Sequence, residues 1–354
     1  MRASKVFKPA SVAVCAVALL SGCSKAGNQF APPPGSAPTA AQNRQHGGAH
    51  PANCMPTVWV TANVEKIYGY TAANSPPCVT IHAANGLNFQ GLYTVAVGSS
   101  PNYVYVADLL NSRIVVFDYN GNYVKWLSTT LGTTNYQPWG VCVSSAGVVG
   151  VGTIQQSAQG NVEFFQPNAP SGSQPTGDAT GQLMRQTWCA FDSAGNFFVV
   201  DGQSGIGQKI DYLASSFVGL PGQTLVDSGL GSASYWTGLY SRINSPADQT
   251  LSAATNAPQN RTQKVYTWTV NGPPIGPLTF TPCTCSPYAF HHNPRSENPV
   301  DQVAPSAGGA SGVLYIADVG KNKILQGPAN GGTVTTYQQV RAALGVATNP
   351  SGQY

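Results

Sequence analysis

Short runs of apolar residues, separated by glycine, proline, asparagine or serine, follow one another along most of the chain. Such runs between turn residues predict β-strands, and no stretch keeps the apolar spacing of a helix. One valine- and tyrosine-rich run recurs six times, with starts 46, 44, 49, 53 and 64 residues apart. The six runs are Val58–Val60, Val104–Asp108, Val148–Val151, Phe197–Asp201, Thr250–Ala253 and Leu314–Asp318. The pattern therefore predicts an all-β domain built from six copies of one unit.

Each predicted unit contains four strands. An apolar inner strand leads through a turn into the valine-rich strand, and two further strands follow. Units of four strands and about 45–50 residues are typical of the blades of a β-propeller. The fifth interval is longer because it contains a polar stretch, 293–312, which we interpret as a loop. We therefore predict a six-bladed β-propeller of four-stranded blades.

The chain ends halfway through a unit whose other half lies near residue 57. Leu344–Thr348 is an apolar run that leads into a turn, whereas the run at Val58–Val60 lacks such a lead-in. We therefore predict that the C-terminal strand is the inner strand of the N-terminal blade, with Thr57 and Tyr354 side by side. Closure of this kind removes the unpaired strand edges of an open array. The rest of that blade is predicted at residues 58–60, 66–70 and 79–82.

Several units resemble the repeats of the NHL family. The matching segments are Pro138–Gly147, Tyr105–Asp108, Asn111–Phe117, Ala190–Asn196 and Tyr315–Ile324. The resemblance covers most of residues 57–354. It implies a propeller, a fold that carries many unrelated functions.

The N-terminal residues predict export. Three basic residues precede an apolar stretch, 10–20, that is too short to span a bilayer. Leu20–Cys23 then resembles the lipobox of bacterial lipoproteins, in which the cysteine is diacylated and becomes the new N-terminus. An ordinary signal peptide is the alternative. In the proteobacterial members of that family, a residue such as Ser24 after the cysteine favours the outer membrane, so the expected location is the cell envelope.

Three segments follow from these patterns. Residues 1–22 are the predicted signal peptide, and 23–56 contain the lipidated cysteine and a disordered tether rich in proline, alanine and glycine. Residues 57–354 form the propeller.

Five of the 17 basic residues and none of the 13 acidic ones precede residue 57, which leaves 12 basic residues against 13 acidic ones in the propeller. A nearly neutral domain without a basic stripe excludes nucleic acid as a partner.

Asp108, Asp201 and Asp318 end equivalent predicted strands. One interpretation is a ring of carboxylates around a cation. In the other, each carboxylate accepts bonds from the backbone or from the basic residue that opens the next strand. Arg113 and Lys323 lie five residues beyond their aspartates, as a hairpin contact requires, and this favours the structural role.

Six cysteines follow Cys23, and an even number in an exported chain indicates disulfides. Cys54 and Cys78 flank the first unit, so a bridge between them would fasten the tether to the closing blade. Cys142 and Cys189 lie in neighbouring inner strands, one step out of phase. This parity suits a bridge across the interface between two blades, although both side chains could equally point away from it.

Cys283 and Cys285, followed by His291 and His292, form the cluster most suggestive of metal chemistry. Two thiolates and two imidazoles could hold zinc or copper. However, thiols outside the cytoplasm oxidise, which makes these two cysteines disulfide candidates as well, and adjacent histidines on a strand point to opposite faces. No cofactor is predicted, and a divalent metal at this cluster stays the alternative.

Aromatic residues recur near the inner strands, at Trp139, Trp188, Trp236 and Tyr288. Most are expected to pack between blades, and any that reach the channel rim could stack on a sugar or another flat ligand.

No paired carboxylates, nucleophile elbow or phosphate loop occurs in the sequence, so no catalytic residue is predicted. The favoured function is a non-catalytic binding or scaffolding module, with a protein or carbohydrate ligand on the propeller loops. The alternative is an enzyme. Six-bladed relatives include lactonases and lyases with a divalent metal in the central channel. Here the ligands of such a metal would have to come from Asp108, Asp201, Asp318 and His291.

Overall fold

The computed structural model of the 354-residue chain is described from Cys54 onward. Between residues 200 and 308 it describes the backbone of the strands alone. With their side chains, it describes residues 54–63, 65–84, 86–99, 101–154, 160–178, 188–191, 195, 197–199, 313–318, 321–328 and 333–348, apart from the side chains of a few strand residues within 84–87, 160 and 177–178.

Short antiparallel strands make up nearly all of the described chain. The first nine are β1 (Val58–Ala62), β2 (Lys66–Tyr70), β3 (Val79–Ile81), β4 (Ala83–Ala84), β5 (Leu87–Asn88), β6 (Leu92–Ser99), β7 (Asn102–Asp108), β8 (Arg113–Asp118) and β9 (Tyr123–Ser128). The next ten are β10 (Thr130–Leu131), β11 (Thr134–Asn135), β12 (Gln137–Val143), β13 (Val149–Ile154), β14 (Gly160–Phe165), β15 (Gly177–Asp178), β16 (Cys189–Phe191), β17 (Phe197–Asp201), β18 (Lys209–Leu213) and β19 (Gln223–Val226). The last ten are β20 (Tyr235–Ile243), β21 (Gln249–Asn256), β22 (Thr262–Asn271), β23 (Thr279–Pro282), β24 (Tyr288–His291), β25 (Val303–Gly308), β26 (Val313–Asp318), β27 (Lys323–Pro328), β28 (Thr335–Gln339) and β29 (Ala343–Thr348).

The strands form six larger sheets in which neighbours along the chain pair with one another. Their orders are β6-β7-β8-β9, β12-β13-β14-β15, β16-β17-β18-β19, β20-β21-β22-β23 with β24 also on β22, β25-β26-β27-β28, and β29-β1-β2-β3. Two small hairpins, β4-β5 and β10-β11, connect one sheet to the next. The predicted all-β fold of four-stranded units is confirmed.

The C-terminal strand belongs to the N-terminal sheet, as predicted. β29 pairs with β1 so that Val58 lies opposite Thr348 and Ala62 lies opposite Ala343. The neighbour of β1 on its other side is β2, and the backbone N–H of Thr57 extends that ladder by donating to the carbonyl of Tyr70. Tyr354, the other residue of the predicted seam, lies outside the described residues.

The first strand of each sheet packs against the first strands of other sheets. β6 contacts β29 and β12, β12 contacts β16, β16 contacts β20, and β25 contacts both β20 and β29. Side chains alternate between the two faces of each strand. In β8, for example, Ile114 and Val116 belong to one apolar core, whereas Val115 and Phe117 belong to another on the opposite face of the sheet.

One expectation was wrong. We interpreted residues 293–312 as a loop, but Val303–Gly308 within that stretch is strand β25 and opens its sheet. Proline, serine, alanine and glycine give this strand no apolar signature. Its pairing with β26 and its contacts with β20 and β29 hold it in place instead.

Both disulfide pairings suggested by the sequence are present. Cys54 is joined to Cys78, with their Cα atoms 5.8 Å apart. Cys142 is joined to Cys189 at 5.7 Å, and this bridge connects β12 with β16 and therefore cross-links two sheets. Cys283 and Cys285 lie outside the described residues.

Burial raises the pKa of seven tyrosines, because a phenolate loses more solvation than a phenol when it leaves water. They are Tyr70, Tyr93, Tyr105, Tyr119, Tyr123, Tyr315 and Tyr337. For Tyr337, burial and the neighbouring Tyr315 raise the pKa to about 12.

We expect the free energy of unfolding to fall steeply above pH 10. Tyrosines of the unfolded chain ionise near pH 10. Above that pH the unfolded state binds fewer protons than the folded state, so alkali favours unfolding, and the contribution of Tyr337 is lost between about pH 10 and pH 12. Phenolate absorbance at 295 nm should therefore rise together with the loss of circular dichroism. Ionisation of all tyrosines near pH 10 in a domain that stays folded would contradict this expectation.

Candidate functional site

The carboxylate of Asp108 is fully engaged in holding two loops together. Its Oδ2 accepts hydrogen bonds from Nε of Arg113 at 2.7 Å and from Nδ2 of Asn111 at 2.8 Å, and it forms an ion pair with a terminal nitrogen of Arg113 at 2.7 Å. Its Oδ1 accepts the backbone N–H of Gln90 at 2.8 Å. The side chain is completely buried. Asp108 therefore fastens the β7–β8 hairpin to the segment before β6, the structural role that the spacing favours.

Asp318 is the one other candidate metal ligand whose side chain is described, and it does not join Asp108. Asp318 is buried in the equivalent hairpin of a different sheet, where its Oδ1 accepts the backbone N–H of Lys321 at 3.1 Å. The side chains of Asp201 and His291, and all of His292, lie outside the described residues. In the part of the chain that the structure describes, no three histidine, cysteine, aspartate or glutamate side chains group together as a metal site would require.

Aromatic side chains converge instead. Tyr93 in β6 and Trp139 in β12 meet edge to face, with ring centroids 4.7 Å apart and planes 62° apart. Tyr93 also stacks on Trp188, just before β16, with centroids 5.3 Å apart and planes 29° apart. Both arrangements are favourable for aromatic rings. We call Tyr93, Trp139 and Trp188 the aromatic cluster, and it joins the beginnings of the first strands of three sheets.

β-Bulges place two of these side chains. In β12, Pro138 lies opposite Thr153 and Gly140 opposite Gly152, so Trp139 is the extra residue. In β6 the register shifts between Leu92 and Val95, which span Tyr93 and Thr94. A bulge redirects a side chain that the regular pleat would point to a sheet face.

Hydroxyl groups fix the backbone of the cluster. Thr94 Oγ1 donates to the carbonyl of Trp139 at 2.9 Å and accepts the N–H of Val141 at 3.1 Å. Thr61 Oγ1 donates to the carbonyl of Tyr93. Neighbouring sheets are thus connected at the bulges, and the aromatic rings are held in place before any ligand arrives.

The three rings differ in accessibility. Tyr93 and Trp188 are only 8% and 7% exposed, whereas Trp139 is partly exposed. Burial raises the pKa of Tyr93, so its phenol is neutral at physiological pH. Trp139 is therefore the ring through which the aromatic cluster meets solvent.

Two loops lie at the end of the sheets where the first strands begin, and neither contains an aspartate, glutamate, lysine or arginine. Loop 82–91 precedes β6 and contains the β4–β5 hairpin, and loop 129–137 leads into β12 and contains the β10–β11 hairpin. Their exposed residues include His82, Asn88, Gly132, Thr133 and Asn135. Among the described residues, exposed or partly exposed charged side chains at the same end include those of Glu65, Lys66, Lys321, Lys323 and Arg341, in the sheets that contain β1 and β26.

Trp139 and Trp188 are aromatic residues that the sequence places near inner strands, and both lie in the cluster. The backbone of Trp236 lies in β20 and that of Tyr288 in β24, but their side chains lie outside the described residues. Tyr93 was missed. The available signal was its position at the start of an inner strand, equivalent to the position of Trp139.

No helix among the described residues is long and apolar enough to cross a membrane. The sequence matches no protein-family model and no curated protein.

Solved structures resemble the fold at low sequence identity. A chain in the crystal structure of a nidogen–laminin complex is 12% identical, with 82% of this chain and 97% of that chain covered and a TM-score of 0.53. A gluconolactonase from Xanthomonas campestris is 12% identical over 85% and 90% of the two chains, with a TM-score of 0.48. A catalytically inactive virginiamycin B lyase from Staphylococcus aureus, solved with quinupristin, is 13% identical over 81% and 86%, with a TM-score of 0.43. The order of the sheets and the similarity to the nidogen–laminin chain show that the domain has a β-propeller fold.

Proposed function

We propose that the protein is a lipid-anchored β-propeller that acts as a non-catalytic binding or scaffolding module at the cell envelope. Its loops bind the ligand. Residues 1–22 act as signal peptide, Cys23 is diacylated, residues 24–56 act as tether, and the propeller closes with six blades. The lipobox-like residues Leu20–Cys23 support the anchor, and Ser24 supports the outer membrane as its location.

The aromatic cluster is the observation that carries the binding function. Three sheets present aromatic rings, held by threonine hydroxyls, at the beginnings of their first strands. Asp108, which ends β7 in the sheet that begins with β6, already accepts hydrogen bonds from Arg113, Asn111 and the backbone of Gln90. A site of this composition binds by stacking and hydrogen bonds, and neither the aromatic cluster nor loops 82–91 and 129–137 contain a carboxylate for hydrolysis or elimination.

The anchor is tested by replacing Cys23 with alanine. In a Gram-negative host fed radiolabelled palmitate, the wild-type protein should incorporate label and partition with the membrane, whereas Cys23→Ala should lose the label completely because no thiol remains at the lipobox. Cys15→Ala is the matched control, since this cysteine lies within the apolar stretch that is cleaved away, and it should label normally. Label retained by Cys23→Ala would refute the anchor.

The same preparations test the absence of catalysis. Envelope polymers incubated with the wild-type protein should be recovered with unchanged size. Cleavage that depends on Asp201 or His291 would establish the enzymatic alternative, a hydrolase or lyase with a metal in the channel.

A further inference from the structure

We propose that the aromatic cluster, together with loops 82–91 and 129–137, binds a neutral oligosaccharide. This inference rests on the proposed binding function and names its ligand class. It follows from the simultaneous presence of a partly exposed tryptophan, uncharged polar loops and a backbone fixed by internal hydrogen bonds.

Trp139 supplies the apolar surface for such a ligand. Sugar rings have C–H faces that pack against aromatic rings and hydroxyl groups that require polar partners, so their sites combine both kinds of side chain. Tyr93 and Trp188 form the buried base of the cluster, and Trp139 stands edge to face on Tyr93 with part of its surface in solvent. Because Thr94 bonds the carbonyl of Trp139, little ordering is required when a ligand stacks there.

Loop 129–137 supplies polar groups beside Trp139. Thr129 Oγ1 donates to the carbonyl of Tyr136 at 2.6 Å, which closes the base of the hairpin. At its tip, Thr130 Oγ1 donates to Oδ1 of Asn135 at 2.9 Å, so the amide oxygen is engaged while the side chain of Asn135 remains exposed. Its Nδ2 group and the exposed Thr133 can donate to sugar hydroxyls.

Loop 82–91 is ordered in a similar way. The carbonyl of Asn88 accepts bonds from Nδ2 of Asn111 and from a terminal nitrogen of Arg113, each at 3.0 Å. The backbone N–H of Leu110 donates to the carbonyl of Gln90 at 2.9 Å. The exposed side chain of Asn88 thus projects from a fixed backbone, as a hydrogen-bonding group in a sugar site must.

The distribution of charge selects a neutral ligand. Neither loop contains an aspartate, glutamate, lysine or arginine, and the buried Arg113–Asp108 pair beneath them is internally neutral. Loops 82–91 and 129–137 themselves therefore offer no cation to an acidic polysaccharide. Protein interfaces are enriched in arginine, which both loops lack. A neutral polyhydroxylated ligand needs only the amides, hydroxyls and aromatic surface that are present.

The test is calorimetric titration of the full mature chain with maltohexaose, cellohexaose, xylohexaose and N-acetylchitohexaose, with hexagalacturonate as the charged comparison. We expect saturable binding of at least one neutral hexasaccharide and no tighter binding of hexagalacturonate. Trp139→Ala should weaken that binding about tenfold or more, as loss of a central aromatic contact does. Trp126→Ala is the matched control, because Trp126 is a partly exposed tryptophan of β9 that packs beside Gly172 and is not part of the aromatic cluster. It should leave affinity unchanged.

A second measurement covers the case in which Trp139→Ala fails to fold. In protein labelled with 5-fluorotryptophan, the fluorine resonance of Trp139, assigned with Trp139→Phe, should shift on titration with the bound hexasaccharide, whereas that of Trp126 should not.

The outcomes separate this inference from the proposed function. Tighter binding of hexagalacturonate, full affinity in Trp139→Ala, or an unshifted Trp139 resonance would overturn the oligosaccharide site. Binding of a purified envelope protein by a chain that ignores every hexasaccharide would also overturn it and would leave the binding module intact. Cleavage of a hexasaccharide would overturn the non-catalytic function while supporting the ligand class.

Discussion

Replacing Arg113 with methionine is expected to lower the free energy of unfolding by about 3–5 kcal/mol, because it leaves a buried carboxylate without its counter-charge. Asp108 is completely buried, and Arg113 is 4% exposed. Methionine fills a similar volume, so the loss should reflect the unpaired charge rather than a cavity. Asn111 and the N–H of Gln90 would still donate to Asp108, but neither carries a positive charge.

Urea denaturation followed by circular dichroism measures this loss. Lys323→Met is the matched control, since Lys323 occupies the equivalent position beyond Asp318 and is partly exposed, so its replacement should cost less than about 1 kcal/mol. The double variant Asp108→Asn/Arg113→Met should recover part of the stability, because the buried charge is then gone. If Arg113→Met unfolds at the same urea concentration as Lys323→Met, the ion pair does not stabilise the fold.

Replacing Gly345 with valine is expected to cost about 3 kcal/mol or more, because overpacking is expensive where the backbone itself must move. A Cβ atom at this position would lie 2.8 Å from the carbonyl oxygen of Tyr93 and 3.0 Å from the Cα of Thr94. Both are backbone atoms and cannot rotate away. The valine would push β29 from β6 and strain its pairing with β1.

The measurement compares unfolding midpoints and tryptophan emission. Thr335→Val places the same side chain at an exposed position of β28 and should change stability by less than about 0.5 kcal/mol. Since Tyr93 contacts Trp139 and Trp188, a displaced β6 should also shift the emission of Gly345→Val. A variant with native emission and the stability of Thr335→Val would contradict this close approach of β29 and β6.

Features determined by a short spacing or by the repeating pattern of strands could be predicted from the sequence. The Asp108–Arg113 contact spans one tight hairpin, so a spacing of five residues was sufficient to suggest it. The pairing of β29 with β1 followed from a missing strand in a repeating pattern. Strand parity identified Cys142 and Cys189, although it left open the face to which they point.

The particular contacts between aromatic side chains of different sheets could not be predicted. Tyr93 and Trp188 come from β6 and the start of β16, whose sheets are separated along the chain by the sheet that begins with β12. Their stacking depends on bulges, and a single extra residue such as Trp139 does not disturb the apolar pattern of a strand. β25 escaped detection for a related reason, because its neighbours rather than its own composition make it a strand.

The direction of β1 determines at which end of the sheets the chain enters the domain. β1 begins at Val58, opposite Thr348, and only at Thr61 does it reach the carbonyl of Tyr93, about 10 Å further along the strand. The Cys54–Cys78 bridge secures the chain just before that start. The chain therefore enters the N-terminal sheet at the Val58 end of β1, and the aromatic cluster lies at the opposite end of the strands, beside Thr61.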